Sequence, residues 1–285
     1  MSLHPELLAL LASAKRGGMV EKLALADWLE EHGEPDRASV IRLQMEMTDL
    51  DEDEEPYRDN EGSVHRLEER HRQDWFGWTR TCTSELARFY GVHRDGLLFL
   101  QLGDGFRVLE LLAAKEEFAW VTGLGFRDLG SERARALFQS SHLTNLTHLD
   151  LSDNRLERGD IMILRNSPHL ANLTHLDLSD NRIRADGVYR LAGSPHLANL
   201  THLNLANASL ADPGAEILAQ SPKFANLRSL NVVGNLIADG GARALAESPH
   251  LANLTRLDLR SNEIGNEVQQ LLRDRFGANV RFEDW

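Results

Sequence analysis

Between Leu146 and Ile264 the apolar residues fall into one phrase repeated five times, L-x-x-L-x-L-x-x-N-x-L. The first unit reads Leu146, Leu149, Leu151, Asn154, Leu156, and the second Leu173, Leu176, Leu178, Asn181, Ile183. The third is Leu200, Leu203, Leu205, Asn207 (one place early), Leu210; the fourth Leu227, Leu230, Val232, Asn235, Ile237; the fifth Leu254, Leu257, Leu259, Asn262, Ile264. The units open with Asn-Leu at Asn145, Asn172, Asn199, Asn226 and Asn253, so every interval is 27 residues. Alternation within L-x-L predicts a short strand with every second side chain inward. The asparagine that follows can satisfy backbone groups where the chain leaves the strand. The second half of a unit runs apolar-x-x-x-Gly-x-x-x-Leu, as in Ile183, Gly187, Leu191, then Leu210, Gly214, Leu218 and Ile237, Gly241, Leu245, which predicts a returning helix. The first unit departs, with Asp160 in the glycine place and Gly159 one residue early. Ser-Pro at Ser167-Pro168, Ser194-Pro195, Ser221-Pro222 and Ser248-Pro249 stops each helix, because proline lacks the N–H and disfavours helical geometry before it. One unit cannot bury both its strand edge and its helix; stacked copies can.

Weaker copies flank the five. Val121, Leu124 and Phe126 repeat the strand pattern, as do Leu97, Leu100 and Leu102, with a helix expected from Phe106 to Phe118. After a helix from Glu267 to Phe276, Asn279 to Phe282 reads as a last strand. The array is thus about seven units plus a terminal strand, assigned to residues 81–285 and degenerate at both ends as caps are. Residues 1–80 differ: helical periodicity marks Pro5 to Lys15, Val20 to Glu31, Pro35 to Leu50 and Glu61 to Trp78. Gly33 closes the second helix and Pro35 opens the third. Trp28, Trp75 and Trp78 are expected as core anchors, and Asp49 to Pro56 as an acidic loop.

The five units resemble the leucine-rich repeat in its longer, ribonuclease-inhibitor-like class. That resemblance implies an α/β solenoid with parallel strands on a concave side and helices outside. The string LALADWLEEHGEPDRASVIRLQ, Leu23 to Gln44, resembles the repeat-companion domain of bacterial proteins. It departs at Leu25, where that family has Tyr, and at Ser39-Val40, where it has Glu-Phe. The resemblance implies a small all-α domain placed before a repeat array and carries no activity with it. Bottom-up, its simplest role is to cover the bare apolar end of the solenoid.

The composition trims the function classes. A formal net charge of −13 opposes a general affinity for nucleic acid or anionic lipid. The single cysteine, Cys82, cannot form an internal disulfide, which fits a reducing compartment. No stretch reaches the roughly 20 apolar residues of a membrane span. Leu7 to Ala14 has no Lys or Arg before it and reads as part of an amphipathic helix, so the protein is expected in the cytoplasm. The Asn-x-Ser/Thr sequons at Asn145, Asn172, Asn199, Asn207 and Asn253 are taken as repeat residues rather than glycan sites.

Strand positions between the inward leucines line up into columns, with neighbours about 4.8 Å apart. The first is His148, His175, His202, Ser229, Arg256; the second Asp150, Asp177, Asn204, Asn231, Asp258; the third Ser152, Ser179, Ala206, Val233, Arg260. Imidazole beside carboxylate is competent for metal, but backbone spacing and duplication produce the same ladders without chemistry, so no metal or cofactor is assigned. Repulsion between Asp150 and Asp177, relieved by protonating His148 and His175, predicts partner binding that depends on pH near about 6 to 7. Asn204, Ala206, Asn231 and Val233, followed by Arg256 and Arg260, form a neutral, partly apolar patch with guanidinium anchors, which suits a protein partner. Gly103–Gly105 and Gly123–Gly125 make no phosphate loop, Cys82 has no catalytic partner such as His93, and His65 and His71 read as solvated surface. The expected function is non-enzymatic recognition of a protein through His148, Asp150, His175, Asp177, His202, Asn204, Asn231, Val233, Arg256, Asp258 and Arg260. The alternatives are a regulatory or inhibitory subunit blocking a partner enzyme and, last, a metal-dependent enzyme using the His and Asp columns.

Overall fold

The computed structural model describes residues 4–16, 18–47, 55–80, 87–88, 97–102, 109 and 113–282. The chain forms two compact units, Met1–Gly125 with Asn145–Thr147, and Phe126–Thr144 with His148–Trp285.

The first unit opens with four helices, α1 (Pro5–Arg16), α2 (Met19–Glu31), α3 (Pro35–Met47) and α4 (Glu55–Arg80). Gly33, at φ +85°, makes the left-handed turn between α2 and α3 that a Cβ would strain. Leu11, Leu25, Leu29 and Ile41 are fully enclosed, and Trp75 packs with Val40 and Val64. Trp28 is only half-buried, its ring stacked on His32 at 3.8 Å, and the Trp78 side chain lies outside the described ones. The α4 helix begins earlier than its periodicity suggests, taking Glu55 and Pro56 out of the acidic loop; proline is tolerated in a first turn. Asp49 to Glu54 lie outside the described residues, as do Cys82, His93 and Gly103–Gly105. His71 corrects the surface reading: its Nε2 lies 2.6 Å from Asp36 Oδ2 and its ring stacks on Trp75 at 4.8 Å. His65 is exposed.

Strands β1 (Ala87–Arg88), β2 (Leu98–Leu102) and β3 (Val121–Phe126) follow in sheet order, with β1 antiparallel to β2. Leu97, Leu100, Leu102, Val121 and Leu124 are buried, so the degenerate copies keep the strand pattern. Most of Phe106 to Lys115 lies outside the described residues; Glu116–Trp120 is a 3-10 turn and not the end of an α-helix. Against this lead-in the helical module is anchored by two cations. Lys15 Nζ donates to Val121 O at 2.7 Å, and burial takes its pKa down to about 8. The Arg37 guanidinium sits 4.6 Å from the Trp120 ring centre and 5.3 Å from that of Trp75.

The second unit alternates helix and strand: α5 (Gly130–Phe138), β4 (His148–Asp150), α6 (Arg158–Arg165), β5 (His175–Asp177), α7 (Arg184–Ala192) and β6 (His202–Asn204). It continues with α8 (Ala211–Gln220), β7 (Ser229–Asn231), α9 (Asp239–Glu247), β8 (Arg256–Asp258), α10 (Asn266–Phe276) and β9 (Val280–Arg281). From β4 to β9 the strands are parallel and adjacent in chain order, and the register pairs Leu149, Leu176, Leu203, Leu230 and Leu257 in one line. These leucines, Leu151, Leu178, Leu205, Val232 and Leu259, and the helix residues Ile161, Val188, Ala215 and Ala242 form one apolar interior. Each enclosed leucine contributes roughly 1.5–3 kcal/mol of burial.

The asparagines close the turns as expected. Asn181 Oδ1 accepts from Asn154 N (3.1 Å) and Leu156 N (2.8 Å), while its Nδ2 donates to Leu151 O, Leu178 O and Ser179 O. Asn154, Asn235 and Asn262 repeat the scheme. The third unit corrects the sequence reading. Asn207 is exposed and donates to Asp180 Oδ1, and the ladder place is taken by Ala208, which is enclosed. The reason is conformational: position 207 is the left-handed one, at φ 53°, as are Asp153, Asp180, Gly234 and Ser261 at the same place in their units.

A second asparagine ladder is hidden in the opening Asn-Leu. Asn172, Asn199, Asn226 and Asn253 donate to Thr144 O, Ala171 O, Ala198 O and Ala225 O of the preceding unit, at 2.7–2.9 Å. The repeated glycine is a packing requirement: a Cβ on Gly241 would lie 2.8 Å from Asp212 Cα, and one on Gly187 2.6 Å from Ile183 Cγ2. Where Asp160 replaces it, the carboxylate is buried and accepts from Ser131 Oγ (2.8 Å) and Glu157 N (3.1 Å), closing the start of α6. The α6, α7, α8 and α9 helices all end before their Ser-Pro pairs, and Ser194 Oγ and Ser248 Oγ donate back to Arg165 O and Ala219 O.

Candidate functional site

Parallel register sets the three columns side by side on the face of the sheet opposite the leucines. Pairing His148↔His175↔His202 brings the imidazoles into a face-to-face stack, with ring centres 3.8 and 3.9 Å apart and planes within 20°. The His202 Nδ1 lies 2.9 Å from Thr201 Oγ1, whose own proton goes to Thr174 O at 3.1 Å. Thr174 Oγ1 stands equally close to His175 Nδ1. Parallel ring planes do not converge their nitrogens on a point. Among the described residues no group of three or more His, Cys, Asp or Glu stands where it could hold a metal ion.

The carboxylate column is more differentiated than its letters. Asp150 Oδ1 accepts from Ser152 N (2.9 Å) and Ser152 Oγ (2.6 Å), and the carboxylate also takes both ends of a guanidinium, Arg127 Nη1 at 2.9 Å and Nη2 at 3.0 Å. Hydrogen bonding to Asp150 raises the Arg127 pKa, with the charges of Asp177 and Asp153 adding to it. Asp258, at the other end, is buried and held by Arg260 Nε and Nη2 at 2.8–3.1 Å. Between them Asp177 accepts, among the described residues, only from neutral donors: Ser179 N (2.8 Å), Ser179 Oγ (2.6 Å) and Asn204 Nδ2 (2.8 Å). Burial raises its pKa, and the neighbouring Asp150 adds to that. Asn204 Oδ1 and Asn231 Oδ1 accept from the backbone N–H of Ala206 and Val233, both at 3.0 Å. Ala206, Val233 and Arg256 are half-buried, and Arg256 makes no ion pair among the described residues.

All eleven candidate residues thus stand on one face, but not as equals. Asp150 and Asp258 are committed to internal arginines, and Arg260 lies along the sheet instead of projecting as an anchor. The mutual repulsion expected of Asp150 and Asp177 is offset at Asp150. Arg127 was missed by sequence reasoning. Phe126, two residues after Leu124 as Leu151 follows Leu149, puts Arg127 in register with Ser152, so extending the third column one unit back would have found it.

The leucine-rich repeat family model matches five segments, residues 142–158, 169–192, 196–219, 225–246 and 250–267. These five segments are leucine-rich repeats. Their boundaries follow the 27-residue period, and the inward leucines and the asparagine ladder fall inside them. Among solved structures, an internalin from Listeria monocytogenes is 19% identical with a TM-score of 0.39, over 61% of this chain and 43% of that one. A protein from Bacteroides fragilis is 15% identical with a TM-score of 0.44, over 65% of this chain and 64% of that one. The alignments span less than two thirds of either neighbour, and at these values they carry no argument about what the leucine-rich repeat face holds. No curated protein matches the chain. Among the described residues no helix is long and apolar enough to cross a membrane.

Proposed function

We propose that the protein is a non-enzymatic recognition module that docks a protein partner on the open strand face of its leucine-rich repeats. Leucine-rich repeats serve in general as protein-interaction modules, and the finer assignment rests on one observation. At the third and fourth repeats the face presents half-buried Ala206 and Val233 beside amides whose orientation is already fixed, and on the next strand, beside Ser229, stands the guanidinium of Arg256, in no ion pair among the described residues. A desolvatable centre with an arginine at its margin is the composition of a binding hot spot, and fixed amides lose little entropy on binding. The helical module, residues 1–80, serves as the cap of the array, residues 81–285; the burial of Lys15 and Arg37 against the Glu116–Val121 lead-in supports that role. The cytoplasmic location stays part of this reading.

The test is affinity capture from the native lysate with wild type, Val233→Ala and Arg256→Ala. The bound protein should be lost or weakened at least tenfold in both variants while their circular dichroism stays native. Undiminished capture by both would reject the strand face. Arg260→Ala is a poor substitute, because it strands the buried Asp258 carboxylate. Once a partner is in hand, its affinity should differ between about pH 5.5 and about pH 8, either side of the histidine range; equal values would remove the imidazole stack from the interface.

A further inference from the structure

The second column contains its own experiment. Asp150 and Asp177 are copies, each accepting from the N–H and hydroxyl of a serine two residues on. Asp150 with those bonds in place still receives a two-point guanidinium, and Asp258 receives one as well. Asp177 does not, because the third column is small around it: Ser152, Ser179 and Ala206 occupy the register that Arg127 and Arg260 hold at the ends. No guanidinium or ammonium bonds to Asp177 among the described residues, although its carboxylate is half withdrawn from water. A charge so placed is costly until a cation reaches it.

We propose that Asp177 receives an arginine side chain presented by the protein partner, docked in the two-point manner that Arg127 shows on Asp150. This deepens the strand-face reading and rests on it. Arginine is favoured over lysine because a planar fork matches both carboxylate oxygens, as Arg127 does on Asp150. The Asn204 amide, held by Ala206 N at its oxygen, stays on Asp177 Oδ2 as a third donor.

The probe is N-acetyl-arginine amide, titrated into the full-length, nitrogen-15-labelled protein and followed by amide chemical shifts, with N-acetyl-citrulline amide as the uncharged control. Saturable shifts at Asp177, Ser179 and Ala206 are expected with the arginine compound and none with citrulline. Asp177→Asn should weaken the response at least tenfold. Ser179→Arg should abolish it by placing an internal arginine over Asp177 as Arg260 stands over Asp258, and it decides the matter if Asp177→Asn fails to fold. Equal shifts with citrulline, or a response that survives in the folded variants, overturns the proposal. If Val233→Ala abolishes partner capture while the arginine compound gives no response, the arginine assignment falls and the strand face stands.

Discussion

Ala208→Asn should stabilise this protein, a rare direction for a substitution at a fully enclosed position. In the second repeat the ladder amide of Asn181 accepts from Asn154 N and Leu156 N and donates to three carbonyls. In the fourth, Asn235 accepts from Ala208 N at 3.0 Å and Leu210 N at 3.2 Å. The third repeat has a methyl in that place, so the N–H groups of Asn181 and Ile183 find no side-chain acceptor at position 208. The preceding residue keeps the same left-handed turn, φ 53° at Asn207 against 56° at Asp180, so the backbone is already shaped for the amide. Two new bonds to N–H groups and one or more to carbonyls, at about 0.5–1.5 kcal/mol net each and less the ordering of the side chain, give about 2 kcal/mol. With a urea slope of about 3 kcal/mol per molar, the midpoint should rise by roughly 0.7 M. The reverse change, Asn181→Ala, strands two buried N–H groups and should cost about 3 kcal/mol. Urea unfolding followed by circular dichroism reads both. A midpoint for Ala208→Asn at or below wild type would show that the third repeat has closed over the missing amide. A harmless Asn181→Ala would show that the ladder sets the turn without stabilising it.

Lys15 predicts a pH dependence with a definite sign. Its folded pKa of about 8 lies below the unfolded 10.5, so the folded state carries the full penalty below pH 8, sheds it as the pH rises and is free of it above 10.5. The difference in stability between wild type and Lys15→Met should therefore shrink between pH 8 and about 10.5, by at most about 3 kcal/mol, with the variant the more stable at pH 7; a constant difference would refute it. Gly241→Ala drives its Cβ onto the Asp212 backbone and should cost roughly 1–3 kcal/mol, whereas Gly159→Ala meets nothing within 4 Å and should be neutral or favourable; thermal melts of the pair separate packing from propensity. Arg127→Ala should cost only about 1 kcal/mol, since the guanidinium is partly exposed, and should open a second arginine-responsive site at Asp150; a single site in the titration would argue against the two-point docking scheme.

The sequence by itself determined the repeat length, the inward leucines, the helix that returns each unit and the four helices ahead of the array. It could do so because periodicities of two and near four, once copied at a fixed interval, leave only one stacking that buries all the apolar residues. It also placed the eleven candidate residues on one face, since a strand sends alternate side chains to opposite sides. Only the tertiary structure decided how those residues differ. Asp150, Asp177 and Asp258 are the same letter in the same column, yet among the described residues two hold guanidinium groups and one does not. That outcome depends on the Arg127 side chain reaching across to the next unit and on Arg260 lying down on its own strand. The shift from Asn207 to Ala208 was equally hidden, because it turns on a backbone angle that asparagine and aspartate both tolerate. The physical reason is the same in each case: period fixes where a side chain stands, while its charge state and hydrogen bonds depend on neighbours one repeat away.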